Sequence, residues 1–286
     1  LTFGLMPSFD GLPSLVAVRQ GIYDSLDIKI DFITYASATD RDAAFLSGKL
    51  DGMLTDYPGA TLLQAKGSRL RLVMETDGSL SLIASKKSNV RNPDDLKGKN
   101  ISVSGNTFVE YATDEVMKRA CLHPGEVNKP EINNIPLRLM MLEDGQISAS
   151  FLPGPATAIA LNDGHTALLN TRQMGLHCTG IVFSEKAITE KDEEIRRFIT
   201  GYNLGVKYLQ THPQNEWTEI LVKEFGLQEK AAMQIDLPDY RPATRPSYHD
   251  IEKIIAWLKS KRAIPDYYPG ENLVDTTFIP GTPEPQ

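Results

Sequence analysis

Two stretches of the chain repeat one another at a fixed spacing, and a chain that encodes one unit twice is expected to pack two similar half-structures. Residues 46–60 read LSGKLDGMLTDYPGA and residues 143–157 read EDGQISASFLPGPAT. At one constant offset Gly48 meets Gly145, Leu50 meets Ile147, Leu54 meets Phe151, Pro58 meets Pro155 and Gly67 meets Gly164. The same offset, within a residue, lays residues 3–14 on residues 101–110. Gly and Pro mark where helices stop and start, so what repeats is a set of element boundaries.

Hydrophobic periodicity supplies the elements between those boundaries. In the first unit, strands are predicted at 1–6, 28–34, 52–54, 70–75 and 80–85, with helices at 14–23, 40–47 and from Pro58 to Gly67. The second unit follows the same order, with strands at 101–104, 131–135 and 147–152 and helices at 108–122, 137–143 and 155–162. Alternating strands and helices imply mainly parallel sheets flanked by helices. After a strand at 178–184 the chain becomes helical, at 190–210, 215–225, 229–235 and 248–261. Residues 236–246 carry too much proline for a helix and are expected to lie extended over the surface, and the proline-rich tail 280–286 is expected to be disordered. The similar runs 80–86 and 181–186 bracket the second unit as hinge crossings. The expected division is therefore residues 1–84 plus 185–286 in one lobe and 85–184 in the other.

The chain has 286 residues, enough for one large domain or two, and a net charge of −7. That charge argues against nucleic acid or an anionic membrane surface as the main partner. No apolar run approaches the roughly 20 residues of a membrane span. Cys121 and Cys178 form no zinc-binding pattern; two buried free thiols are expected, with a single disulfide as the alternative. No metal or cofactor is implied. The chain opens at Leu1 directly on a strand pattern, which reads as a chain whose leader has been removed.

Four segments carry a resemblance. They are 15–23 (LVAVRQGIY), 45–58 (FLSGKLDGMLTDYP), 95–104 (DLKGKNISVS) and 145–155 (GQISASFLPGP). In this order they resemble the type II periplasmic binding proteins of ABC transporters, specifically the nitrate/sulfonate/taurine-type and NMT1/THI5-like solute-binding proteins. The resemblance implies a two-lobed fold closing on a small-molecule solute, a membrane ABC permease as partner, a monomer, and a periplasmic or lipid-anchored location. The family's PEP element is Pro153-Gly154-Pro155 here, and the cysteine-rich motif of the yeast-type thiamine pyrimidine synthases is absent.

Ligands of open α/β sheets bind beyond the carboxyl ends of strands, beside helix N-termini. That rule selects four loops, at 7–12, 56–58, 105–107 and 153–155. On the first, Phe9 offers an aromatic wall and Asp10 a carboxylate for a ligand N–H, although Asp10-Gly11 is also an ordinary turn. Tyr35 and Ser37 end the second strand and reach toward the cleft, Ser37 serving equally well as a helix cap. On the second loop, Pro58 at the first helical position leaves Tyr57 as a poor cap, which points to a ring held against a ligand, while Asp56 either satisfies the helix or touches the ligand. Asn106 and Thr107 present backbone N–H groups. Thr107 and Glu110 form a capping box that accounts for both side chains; Glu110, Tyr111 and Thr179 are secondary candidates. Pro153 and Pro155 complete the set.

None of the four loops contains Arg or Lys, whereas Asp10 and Asp56 are present. Strong anions are normally met by an arginine fork or a lysine, so the set favours an uncharged or amine-bearing organic ligand of pyrimidine type over sulfonate or nitrate. No catalytic motif is found, and His123, His165, His177, His212 and His249 are scattered beside turns or on helix surfaces. A same-fold enzyme of menaquinone or thiamine-pyrimidine biosynthesis is the alternative, and a DNA-linked effector domain a remote third.

Overall fold

The computed structural model describes residues 1–235 and 237–279. In chain order it contains β1 (Thr2–Leu5), α1 (Leu12–Arg19), α2 (Ile22–Ser25), β2 (Asp31–Thr34), α3 (Ala38–Leu46), β3 (Gly52–Asp56), α4 (Tyr57–Ala65), β4 (Leu70–Glu75) and β5 (Leu80–Ala84). Then follow β6 (Ile101–Ser102), α5 (Phe108–Arg119), α6 (Ile135–Asp144), β7 (Ala149–Pro153), α7 (Gly154–Asn162), β8 (Thr166–Asn170) and β9 (Thr179–Ser184). Among the described residues five helices follow, α8 (Glu185–Glu190), α9 (Asp192–Thr211), α10 (Thr218–Phe225), α11 (Glu229–Gln234) and α12 (Tyr248–Ser260).

The repeated stretches fold alike. Strands β3 and β7 and helices α4 and α7 begin at corresponding positions, and α3 and α6 are capped by the corresponding Ser37 and Asn134. The Ser37 hydroxyl accepts from Asp40 N and the Asn134 amide oxygen from Leu137 N, each satisfying a helix N–H that lacks a backbone partner. Behind each of these two helices the chain turns at a glycine with φ of +75°, Gly48 and Gly145. A residue with a Cβ is strained in that left-handed conformation.

Among the described residues nine strands form two sheets, one ordered β2-β1-β3-β9-β4 and one ordered β6-β7-β5-β8. The two-lobed α/β architecture follows the expectation, but both sheets are mixed. β1 runs parallel to β2 and β3, and β6 parallel to β7, whereas β9 is antiparallel to β3 and β4, and β5 antiparallel to β7 and β8. Each crossing strand enters the sheet of the other unit and runs against its neighbours there.

Sheet membership also moves the crossings. Residues 80–84, expected in the first lobe, pair in the second sheet, and residues 179–184, expected in the second lobe, pair in the first. The connections between sheets are therefore 76–79 and 171–178. The strand expected at 131–135 is reduced to two isolated bridges, Glu131 with Val103 and Asn134 with Ser37, because α6 already begins at Ile135. The helix expected at 14–23 starts at Leu12 and breaks at Gly21, which has φ of +66°.

The C-terminal helices close the first unit. α9 packs along α1, and α12 packs on α4. Residues 237–246 form no helix or strand, and Tyr240 within them is buried with its hydroxyl donating to the Phe9 carbonyl. Asp236 and the tail 280–286 lie outside the described residues. Cys178 is buried and Cys121 exposed, both as free thiols, so only one of the two expected buried thiols is buried. No helix is long and apolar enough to cross a membrane, among the described residues.

Candidate ligand site

A cavity of about 100 Å³ lies where the carboxyl ends of β3 and β7 face each other. The surface it exposes is largely apolar, with Met6, Leu54, Leu80, Phe108 and Ile135 among its walls, and polar and charged side chains from both units are set into it. Apolar walls with a small number of placed polar groups are the usual make-up of a small-molecule site.

Asp56 ties the two units together at the rim. It is the last residue of β3 and the cap of α4, where its Oδ1 accepts from Gly59 N at 2.7 Å. Its Oδ2 accepts from Phe108 N, the first residue of α5 in the other unit, at 3.1 Å. One carboxylate thus serves two helix N-termini that belong to different sheets. Burial raises its pKa, opposed by Arg41 and by these two N–H groups. A second bridge joins the units where Ile135 N donates to the Ala36 carbonyl beside the Ser37–Asn134 pair.

Asp10 lies on the loop after β1 and is 2% exposed. Its carboxylate accepts from the Ser8 hydroxyl and, at 3.0 Å, from the Thr76 hydroxyl. No cation pairs with it among the described residues. Burial pushes its pKa up, against the two hydroxyl hydrogen bonds, with Asp77 adding to the rise. Thr179 lines the cavity beside it and donates to the Thr76 carbonyl.

Two arginines also line the cavity, Arg41 from α3 and Arg138 from α6. They stand at corresponding positions of the repeat, and both are buried, at 3% and 2% exposure. Arg41 Nη1 donates to the Leu54 carbonyl at 3.0 Å, and Arg138 Nη1 donates to the corresponding Phe151 carbonyl at 3.1 Å. The absence of cations from the expected loops therefore does not describe the cavity, because its cations come from helices.

Of the residues expected to contact ligand, Asp10, Asp56, Thr107, Pro153 and Thr179 line this cavity. The others are placed elsewhere. Tyr57 is not the cap of α4; Asp56 is, and the Tyr57 ring is fully buried with its hydroxyl on Glu75 at 2.9 Å. The Phe9 ring packs edge-on against Phe225, with centroids 5.2 Å apart. Tyr35 packs on the core, and Ser37 is occupied as a cap. Pro155 is buried in the first turn of α7.

The start of α5 is closed to an anion by its own neighbours. Asn106 N donates to Glu110, Thr107 N to the Ser104 carbonyl, Phe108 N to Asp56 and Val109 N to the Thr107 hydroxyl. The expected capping box is shifted by one residue, since Glu110 reaches Asn106 N and not Thr107 N. Glu110 is further held by Lys129 and Lys261, which bring its pKa down although burial alone would raise it. Tyr111 packs edge-on against Trp257. His165 is buried, not on a surface, with Nδ1 accepting from Lys86 N and Nε2 2.7 Å from Glu143. Sequence reasoning confined to loops missed Arg41 and Arg138, yet the same constant offset that pairs Pro58 with Pro155 pairs these two.

This fold is that of the type II periplasmic binding proteins, two mixed α/β units crossed twice by the chain around a partly open cavity. The NMT1/THI5-like family profile matches residues 8–216, and the chain belongs to that family. Among curated proteins it is similar to a putative thiamine biosynthesis protein of Haemophilus influenzae, 22% identical over 213 residues, covering 71% of this chain and 66% of the relative. The chain thus spans just under two thirds of that protein's length. Among solved structures, the ligand-binding component of an ABC-type import system from Staphylococcus aureus, crystallised with zinc, superposes with a TM-score of 0.81 at 14% identity over 97% of both chains. The alkanesulfonate-binding protein of Xanthomonas axonopodis pv. citri bound to MOPS gives 0.77 at 19% identity, over 93% of this chain and 94% of that one. A desulfurization enzyme carries the same fold, with a TM-score of 0.70 at 12% identity over 97% and 96%. Among the described residues no group of three or more His, Cys, Asp or Glu side chains could hold a metal ion.

Proposed function

We propose that this chain is the solute-binding component of an ABC importer, working outside the cytoplasmic membrane as a monomer and delivering a small organic solute to a membrane permease. The observation that carries this reading is the partly open cavity whose polar groups come from both units, with Asp56 bonding across its rim. A solute filling such a cavity touches both units only when they are together, and that differential affinity favours the closed arrangement. Hinge motion about 76–79 and 171–178 opens the route in and out.

The alternative is a same-fold biosynthetic enzyme; the Haemophilus relative is named a putative thiamine biosynthesis protein. The lining residues include no histidine, cysteine or lysine. Cys178, the buried thiol, lies outside the lining, and burial raises its pKa, which disfavours the nucleophilic thiolate. These features support a carrier. Native mass spectrometry of the gently purified protein, followed by mass analysis of the released solute, tests the reading. A carrier returns one small molecule unchanged after prolonged incubation; steady conversion of that molecule sinks the proposal.

A further inference from the structure

The repeat makes the cavity nearly symmetric in backbone, but its charges are not. Arg41 is neutralised within its own helix, because the Asp42 carboxylate accepts from its Nε at 3.0 Å and its Nη2 at 2.6 Å. At the position of the second unit that corresponds to Asp42 stands Leu139. Arg138 consequently has no carboxylate, and its buried Nε has no hydrogen-bond partner among the described residues. Burial without a counter-charge brings this guanidinium down to about 10. A buried ion lacking its partner is costly to keep, and at a cavity wall such a group is a candidate for completion by a ligand.

The opposite pole lies in the first unit. Asp10 is as buried as Arg138 and receives no cation, its partners being the Ser8 and Thr76 hydroxyls and its own N–H, and the corresponding position of the second unit is Thr107. The Thr55 hydroxyl, another lining group, also lacks a partner among the described residues.

We infer that the cargo is a dipolar solute, its carboxylate or sulfonate end completing Arg138 in the second unit and its ammonium or amidine-like N–H end completing Asp10 in the first. This rests on the carrier reading above. It gives closure a chemical criterion: a solute with only one charged end satisfies one unit and leaves the other ion stranded. Arg138 is the residue that reads the anionic end, since an arginine fork matches a planar or tetrahedral oxyanion.

The test is calorimetry on the intact chain with matched probes: taurine and β-alanine as dipoles, ethanesulfonate and propionate as anions, ethylamine as the cation, and 4-amino-5-hydroxymethyl-2-methylpyrimidine as a heterocycle without an acid. At least one dipole is expected to bind at least about 30-fold more tightly than its one-ended analogues, a difference of about 2 kcal/mol. Leu139→Asp, which copies the Arg41–Asp42 arrangement, is expected to remove most of that advantage while the melting transition stays cooperative. Arg138→Met, checked by the same melt, is expected to abolish the preference for an anionic end. Tight binding of the pyrimidine, indifferent to Leu139→Asp and Arg138→Met, overturns the dipole and leaves the carrier standing. Binding of a dipole followed by its chemical conversion overturns the carrier and leaves the dipole standing. No dipole bound below millimolar concentration overturns the inference.

Discussion

Arg41 and Arg138 occupy the same place in two copies of one unit, yet only Arg41 has an acid beside it. Each lies on the helix that precedes the central strand of its unit, and each donates to the same carbonyl of that strand. The shared hydrogen bond belongs to the architecture; it fixes helix to strand in both halves. What differs is the acids around them: Arg41 has Asp42 bonded to it and Asp56 close by, where the second unit has Leu139 and Pro153. The comparison separates what the repeated fold requires from what one half has been left to do. In the first half the arginine is a closed structural element, and in the second it is an open one.

The widest test of that contrast is the same truncation at both positions. Arg41→Met leaves the Leu54 carbonyl without its donor and Asp42 without its cation, so a loss of about 2–4 kcal/mol is expected. Arg138→Met also removes a hydrogen bond, but it removes an uncompensated buried charge with it. Its stability is expected to stay level or rise, as read from urea midpoints of the ligand-free protein. Equal losses at both sites would break the comparison.

A second contrast lies at the start of the next helix in each half. α4 begins with Tyr57, whose ring fills the core, whereas α7 begins with Gly154. A Cβ on Gly154 would fall 2.0 Å from the Phe9 ring, so Phe9 of one unit closes onto the bare backbone of the other. Gly154→Ala is expected to destabilise the closed protein by about 1–3 kcal/mol through overpacking. It should also enlarge the radius seen in solution scattering. An unchanged radius and melt would remove Phe9 and Gly154 from the closing contact.

The smallest effect concerns a pair that should not differ. Ser37 and Asn134 cap corresponding helices with the same bond, so Ser37→Ala and Asn134→Ala are each expected to cost about 1 kcal/mol in thermal melts. A much larger loss for either would show that it does more than cap.

The repeat was readable because it rests on residues whose backbone roles are local. Gly48 and Gly145 adopt positive φ, and Pro58 and Pro155 sit in first helical turns, whatever surrounds them. The loops around Asp10, Asp56, Thr107 and Pro153 were readable because strand ends and helix starts define where a cavity can form. Strand direction was not readable: an antiparallel β5 or β9 has the same apolar run as a parallel one. Nor was the cap of α4, where one residue of register exchanged the roles of Asp56 and Tyr57. The arginines escaped because they lie mid-helix, where a cation ordinarily reads as a solvated face, and only tertiary packing turns them inward.

On the proposed carrier reading, the double role of Asp56 bears on how faithfully the protein reports its cargo. Its two hydrogen bonds, one to each unit, contain no atom of the solute. Whatever they contribute to closure is present with the cavity filled or empty, so it shifts the open–closed balance by a fixed amount. A stronger bridge would tighten apparent affinity for every solute alike and raise the fraction of empty molecules that look loaded to a permease. Discrimination must come from the groups the solute itself completes, and the bridge sets only the background against which they are read.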